Sequence, residues 1–202
     1  MLSTAINIGI LASVFIKMIE KTMDDRSWSD QDKTSNALFC ILGLGAGEII
    51  GSLIFGRITD KCSNNMTILL NVLATSIAYA ALILYGAVYN FNWVLAILMT
   101  FTWGVQDAAV NCLISSLLGF QFDSKTTPFS VYKFVQNLLI FLVISIESKT
   151  QNQLSYLIYF GVCYFIAMVA WAILFKFFKI LPNEEVEQMR LAKQAKDLVQ
   201  HH

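Results

Sequence analysis

Charge is scarce in this chain: Lys, Arg, Asp and Glu make up 14% of its 202 residues, where a soluble domain carries about a quarter. The 14 basic residues balance the 14 acidic ones, so the basic excess of a nucleic-acid-binding protein is missing and nucleic acid is excluded as a partner. Two prolines and ten glycines rule out collagen-like and proline-rich disordered classes. Histidine is confined to His201 and His202, so the body of the chain has no imidazole to act as base, metal ligand or haem ligand. Cys40, Cys62, Cys112 and Cys163 are too scattered for a zinc or redox motif, and three of them fall in apolar runs where cysteine behaves as a small hydrophobe. Neither a metal nor a cofactor is expected.

Apolar residues, by contrast, are abundant. They make up 56% of the chain and give a mean hydropathy of +0.61, the composition of an integral membrane protein surrounded by lipid. Six runs approach the length of about 20 residues that a spanning helix needs: Leu2–Met18, Asn36–Ile58, Met66–Tyr89, Trp93–Phe120, Phe129–Ile146 and Leu154–Phe178. A membrane barrel would alternate apolar and polar residues, and these runs do not. The fold class expected is all-α and integral to the membrane. Six transmembrane helices form one domain over residues 1–181, followed by a polar tail over 182–202.

Glu20–Ser35 reads as the one long aqueous loop. Short connections elsewhere predict that sequential helices are antiparallel neighbours. In the tail, Asn183 and the acids after it form a helix start, and 183–199 reads as a weakly amphipathic surface helix or, alternatively, a solvated tail. Lys and Arg placement assigns orientation. Arg57, Lys61, Lys125, Lys176, Lys179, Arg190, Lys193 and Lys196 share one side; Lys17, Lys21, Arg26, Lys33 and Lys149 share the other. That bias puts both ends on the cytoplasmic side, or the matrix side in a mitochondrion, and the first helix serves as its own insertion signal.

Glu48 and Asp107 lie near the middle of the second and fourth runs. Intramembrane carboxylates cost a few kcal/mol on insertion scales and face a bundle interior or a cavity. They form either a proton or cation site or a hydrogen-bonded tie between helices. Asn111 lies one turn beyond Asp107 on the same face, and Lys133, Gln136 and Asn137 follow across a short loop. Depth counting brings Asn111 level with Gln136 and makes a direct Asp107–Lys133 bridge doubtful, so the expectation is a water-linked polar seam between the fourth and fifth helices. Gly47 and Gly51 form a G-x-x-x-G that Gly43 extends, a small face suited to close helix packing. The G-L-G-A-G stretch lacks the strand and spacing of a dinucleotide loop. No nucleophile–base pairing points to an enzyme.

Two stretches carry a family resemblance. Gly56-Arg57-Ile58-Thr59-Asp60-Lys61 resembles the cytoplasmic G-R-x-x-D-R/K loop of the major facilitator superfamily, with Cys62-Ser63-Asn64-Asn65 where the family continues Gly-Arg-Arg. The segments W-G-V-Q-D-A-A-V-N-C-L-I-S-S-L-L-G-F (103–120) and P-F-S-V-Y-K-F-V-Q-N (128–137) resemble a helix pair of the uncoordinated-93-like family, with Asp107, Asn111, Lys133 and Gln136 at the matching positions. The resemblance extends from the first helix to Phe178 and implies the C-terminal six-helix half of a twelve-helix facilitator.

In that fold the substrate path lies between two halves, so a single half needs a second copy, a separate N-terminal half or an unrelated membrane protein to cover its polar face. Members of the family are known more as partners of other membrane proteins than as proven transporters. The expected function is therefore a non-catalytic accessory subunit of a larger membrane assembly, contacting lipid and other integral membrane proteins. The alternatives are a half-transporter that works as a homodimer or with a separate half, and a channel-regulating or trafficking protein. The compartment stays open: the mitochondrial inner membrane for an energy-transducing complex, otherwise the plasma membrane or an endomembrane.

Overall fold

The computed structural model describes residues 2–24, 28–62, 64–121, 126–147 and 152–177. They form six α-helices: α1 (Leu2–Lys21), α2 (Asp30–Lys61), α3 (Asn64–Val88), α4 (Trp93–Gln121), α5 (Thr126–Glu147) and α6 (Gln153–Phe177). Five of them, α2 to α6, are long and apolar enough to cross a membrane. The chain is an all-α, multi-helix membrane protein. The tail, with its expected helix over 183–199, lies outside the described residues.

The helix ends follow local chemistry. Ser29 caps α2 by accepting from the Asp32 N–H at 3.2 Å, and Asp30 and Asp32 sit in the first turn, where acids complement the helix dipole. The aqueous connection is thus shorter than the Glu20–Ser35 expected, because the charges of 30–35 start a helix. Similarly, Gly56, Arg57, Asp60 and Lys61 occupy the last turns of α2, where a loop was expected; helical hydrogen bonding continues to the Cys62 N–H, which donates to Ile58 O at 2.8 Å. Asn92 Oδ1 caps α4 by accepting from the Val94 and Leu95 N–H groups. Pro128 falls in the first turn of α5, where its missing N–H breaks no helical bond.

The helices do not pair in chain order. The most extensive contact joins α2 to α4, followed by α3 with α4, α1 with α5 and α3 with α6, while α2 and α3 barely touch. The expectation of sequential neighbours holds for α3 with α4 but not for the other main contacts, because pairing follows complementary surfaces and short connections do not dictate it. On α2, Gly43, Gly47 and Gly51 remove side chains from the contact. A Cβ on Gly47 would collide with Phe101 O, and one on Gly51 would come within 2.9 Å of Ala108 Cβ. On α4, a Cβ on Gly104 would collide with Leu44 O. The two backbones therefore approach from both sides, the arrangement that small residues permit in membranes, where dispersion dominates association.

An aromatic knot ties this pair to the remaining helices. Trp103 of α4 packs edge-on to Phe15 of α1, ring centroids 5.3 Å apart, and against Tyr79 of α3 at 5.1 Å; Tyr79 in turn meets Tyr164 of α6 at 5.3 Å. The outer surface is apolar. Phe39, Leu42, Ile49 and Leu53 of α2, Phe134 and Phe141 of α5, and Leu154 and Phe165 of α6 are all exposed, as lipid-facing side chains should be.

Candidate functional site

Along α2, Glu48 and Ser52 are one turn apart and share a face. Asp107, Asn111 and Ser115 repeat that spacing along α4. Because Gly47, Gly51 and Gly104 draw the two helices together, these stripes become the walls of one open cleft of about 310 Å³, completed by Ala108 and Cys112. Asp107 stands at the midpoint of α4 and is 9% exposed, whereas Ser52 and Ser115 lie exposed at the rim.

Asn111 Nδ2 donates to Asp107 Oδ2 at 2.8 Å. The other carboxylate oxygen, Oδ1, is buried without a hydrogen-bond partner. An acceptor left in that state costs about 1–3 kcal/mol, so the cleft floor is electrostatically unfinished. Glu48 adds a second carboxylate and no donor. The walls can therefore receive a hydrogen-bonding cation or bind protons.

The remaining expected site residues lie elsewhere. On α5, Lys133 Nζ donates to Gln136 Oε1 at 2.9 Å and sits 5.3 Å from the Tyr132 ring centroid. Gln136, buried, donates to the Tyr132 hydroxyl at 3.0 Å, and Asn137 is exposed. The seam expected between α4 and α5 is replaced by the cleft between α2 and α4, because α5 packs chiefly on α1. Depth counting along the chain fixes height but not the direction a side chain faces. Arg57, Asp60 and Lys61 are exposed at the end of α2 and are not among the residues that line the cleft.

Sequence reasoning missed three polar features. A charged cleft of about 260 Å³ lies where α1 meets the start of α2, with Lys33 Nζ 2.8 Å from Asp24 Oδ1 and the Thr34 hydroxyl donating to Glu20 at 2.7 Å. Thr75 of α3 is buried and accepts from Gln106 of α4 at 3.5 Å. The Thr100 hydroxyl crosses from α4 to the Cys40 carbonyl oxygen. Only the first had a sequence signal, the alternating charges over 17–33. No family model matches the chain, and no solved structure matches it. Among the described residues no cluster of three His, Cys, Asp or Glu side chains could hold a metal ion.

Proposed function

We propose that this protein is a non-catalytic, partner-binding subunit of a larger membrane assembly, built on a six-span, half-facilitator bundle. One observation carries the reading: a cleft with two carboxylates opens through exposed Ser52 and Ser115 onto an otherwise apolar surface. Polar groups at membrane depth need protein or water beside them, and in this reading another protein covers the face.

The helix pairings support the facilitator-type architecture. Exchanging α1–α3 for α4–α6 turns the α2·α4 contact into α5·α1 and the α3·α4 contact into α6·α1, and leaves α3·α6 unchanged. All of those contacts are present. A three-helix repeat related to its copy in this way, with the second copy inverted, is how each half of a facilitator is organised. The 20 residues of α1 then form the sixth span, with both chain ends on the cytoplasmic or matrix side as the basic residues indicate.

A second reading, a half-transporter acting as a homodimer or with a separate half, is favoured by Glu48 and Asp107 sharing one cleft. Solubilisation of native membranes in mild detergent, native-gel sizing and mass spectrometry of the co-migrating chains separates the two. Stoichiometric unrelated membrane proteins in a large particle are the expected result. A particle of one or two copies would overturn the subunit reading and leave the half-transporter.

A further inference from the structure

The two glycine stripes of α2 differ in what they face. Gly43, Gly47 and Gly51 are closed against α4, as described. Gly45 and Gly56 belong to a second stripe, Gly45–Glu48–Ser52–Gly56, whose spacing of three, four and four residues keeps it on one side of the helix. A side chain built on Gly45 or Gly56 would meet nothing within 4 Å. A helix with small residues on its outer face and, among the described residues, no helix against them has room for a foreign backbone to approach closely.

The chemistry of that groove is one-sided. Glu48 sits in the middle of the open stripe, and Asp107, more than nine-tenths buried, lines the same cleft with Oδ1 unpartnered. The cleft is lined by no cation among the described residues, and Lys133 of α5 already donates to Gln136. An opening of about 310 Å³ has room for a long side chain, whereas a bare metal ion is held by oxygens that close in to about 2–2.6 Å.

Resting on the partner-binding reading above, we infer that the Gly45–Glu48–Ser52–Gly56 groove receives a transmembrane helix of the partner that carries a lysine or arginine at the depth of Asp107. The ammonium or guanidinium group enters the cleft between Glu48 and Asp107 and pairs with their negative charge. The partner backbone approaches along Gly45 and Gly56. One buried carboxylate and one half-buried carboxylate facing one cation give the docked pair its register, since a shift of one turn would strand the charge in lipid.

The test uses the assembly in its own membranes. A photo-crosslinking residue replaces Ser115 at the rim, and the attached peptide is mapped by mass spectrometry. A partner helix with a Lys or Arg within one turn of the crosslink is expected; a crosslink to lipid alone, or to a helix without a basic residue, overturns the inference. In parallel, Gly45→Leu fills the open groove without touching this chain's own packing. It should abolish the large particle while leaving the bundle inserted and folded, and Glu48→Gln should weaken the particle's survival in detergent. A Gly45→Leu chain that still runs in an intact large particle overturns the groove assignment while the subunit reading stands. A wild-type particle of one or two copies overturns both.

Discussion

The Thr100 hydroxyl of α4 donates to the Cys40 carbonyl oxygen of α2 at 2.7 Å. This hydrogen bond between helices joins a side chain to the backbone and exists because Gly43, one turn along, has no Cβ: an added one would stand 2.7 Å from Thr100 Oγ1. Close approach and hydrogen bond therefore depend on each other. Thr100 also reaches Ala96 O and Ile97 O in its own helix, at 3.1 and 3.0 Å, so its proton has local alternatives.

Thr100→Val should lower bundle stability by about 0.6 kcal/mol, the average of such bonds in membranes. Thermal or steric-trap unfolding in detergent measures it. A loss several times larger would mean that the isosteric methyl also disturbs the packing around Gly43.

Gly104→Ala should be far more damaging than its size suggests, because the new methyl collides with Leu44 O and stands 2.9 Å from Glu48 N. Overpacking of this kind costs about 1–3 kcal/mol. The fluorescence of neighbouring Trp103, fully buried, reports the unfolding midpoint. Gly161→Ala, with nothing within 4 Å of the added Cβ, is the control and should leave the midpoint unchanged or raise it, since alanine favours a helix over glycine.

Tyr85→Phe should loosen the connection after α1. The Thr22 hydroxyl donates to Ile19 O at 2.7 Å, so the Tyr85 hydroxyl, 2.7 Å away, is the donor to Thr22. Thr22 O in turn accepts from the Phe91 N–H at 3.2 Å. Losing the phenol removes about 1 kcal/mol, and hydrogen exchange of the Phe91 amide should accelerate.

Tyr89, just past the end of α3, has φ 44°, left-handed backbone that costs an L-residue roughly 1–2 kcal/mol. Tyr89→Gly should therefore match or exceed the wild type in stability, as read by its thermal midpoint. Burial, with Asp24 adding to it, raises the Tyr89 phenol above its ordinary value. A group that stays protonated longer when folded withdraws stability as the pH rises through the unfolded value near 10. The wild type should lose stability there, and Tyr89→Gly should lose less.

Five of the six expected runs match membrane-length helices to within a few residues at most ends, because length and apolarity are local properties. The exception at the start of α2 also had a local signal: Ser29 followed by Asp30 and Asp32 is a capped helix start, which its charges disguised as a loop. Pairing was harder to read. The Gly43–Gly47–Gly51 face announces a close neighbour without naming it, and the reciprocal Gly104 is a lone glycine with no periodicity to flag it. Gln136 was placed level with Asn111 from height alone, while the facing direction depends on which helix α5 packs against.

The 32 residues of α2 span about 48 Å at 1.5 Å per residue, against a hydrocarbon core of about 30 Å. Asp32 and Lys33 anchor one end in water, and Arg57, Asp60 and Lys61 anchor the other. The innermost of these charges, Lys33 and Arg57, are about 36 Å apart by the same rise, so a slide of much more than one turn would drag one of them into the oil. The helix is thus pinned vertically at both ends, and Glu48 cannot reach water by a piston movement. Any contact with its carboxylate is therefore lateral, within the plane of the membrane.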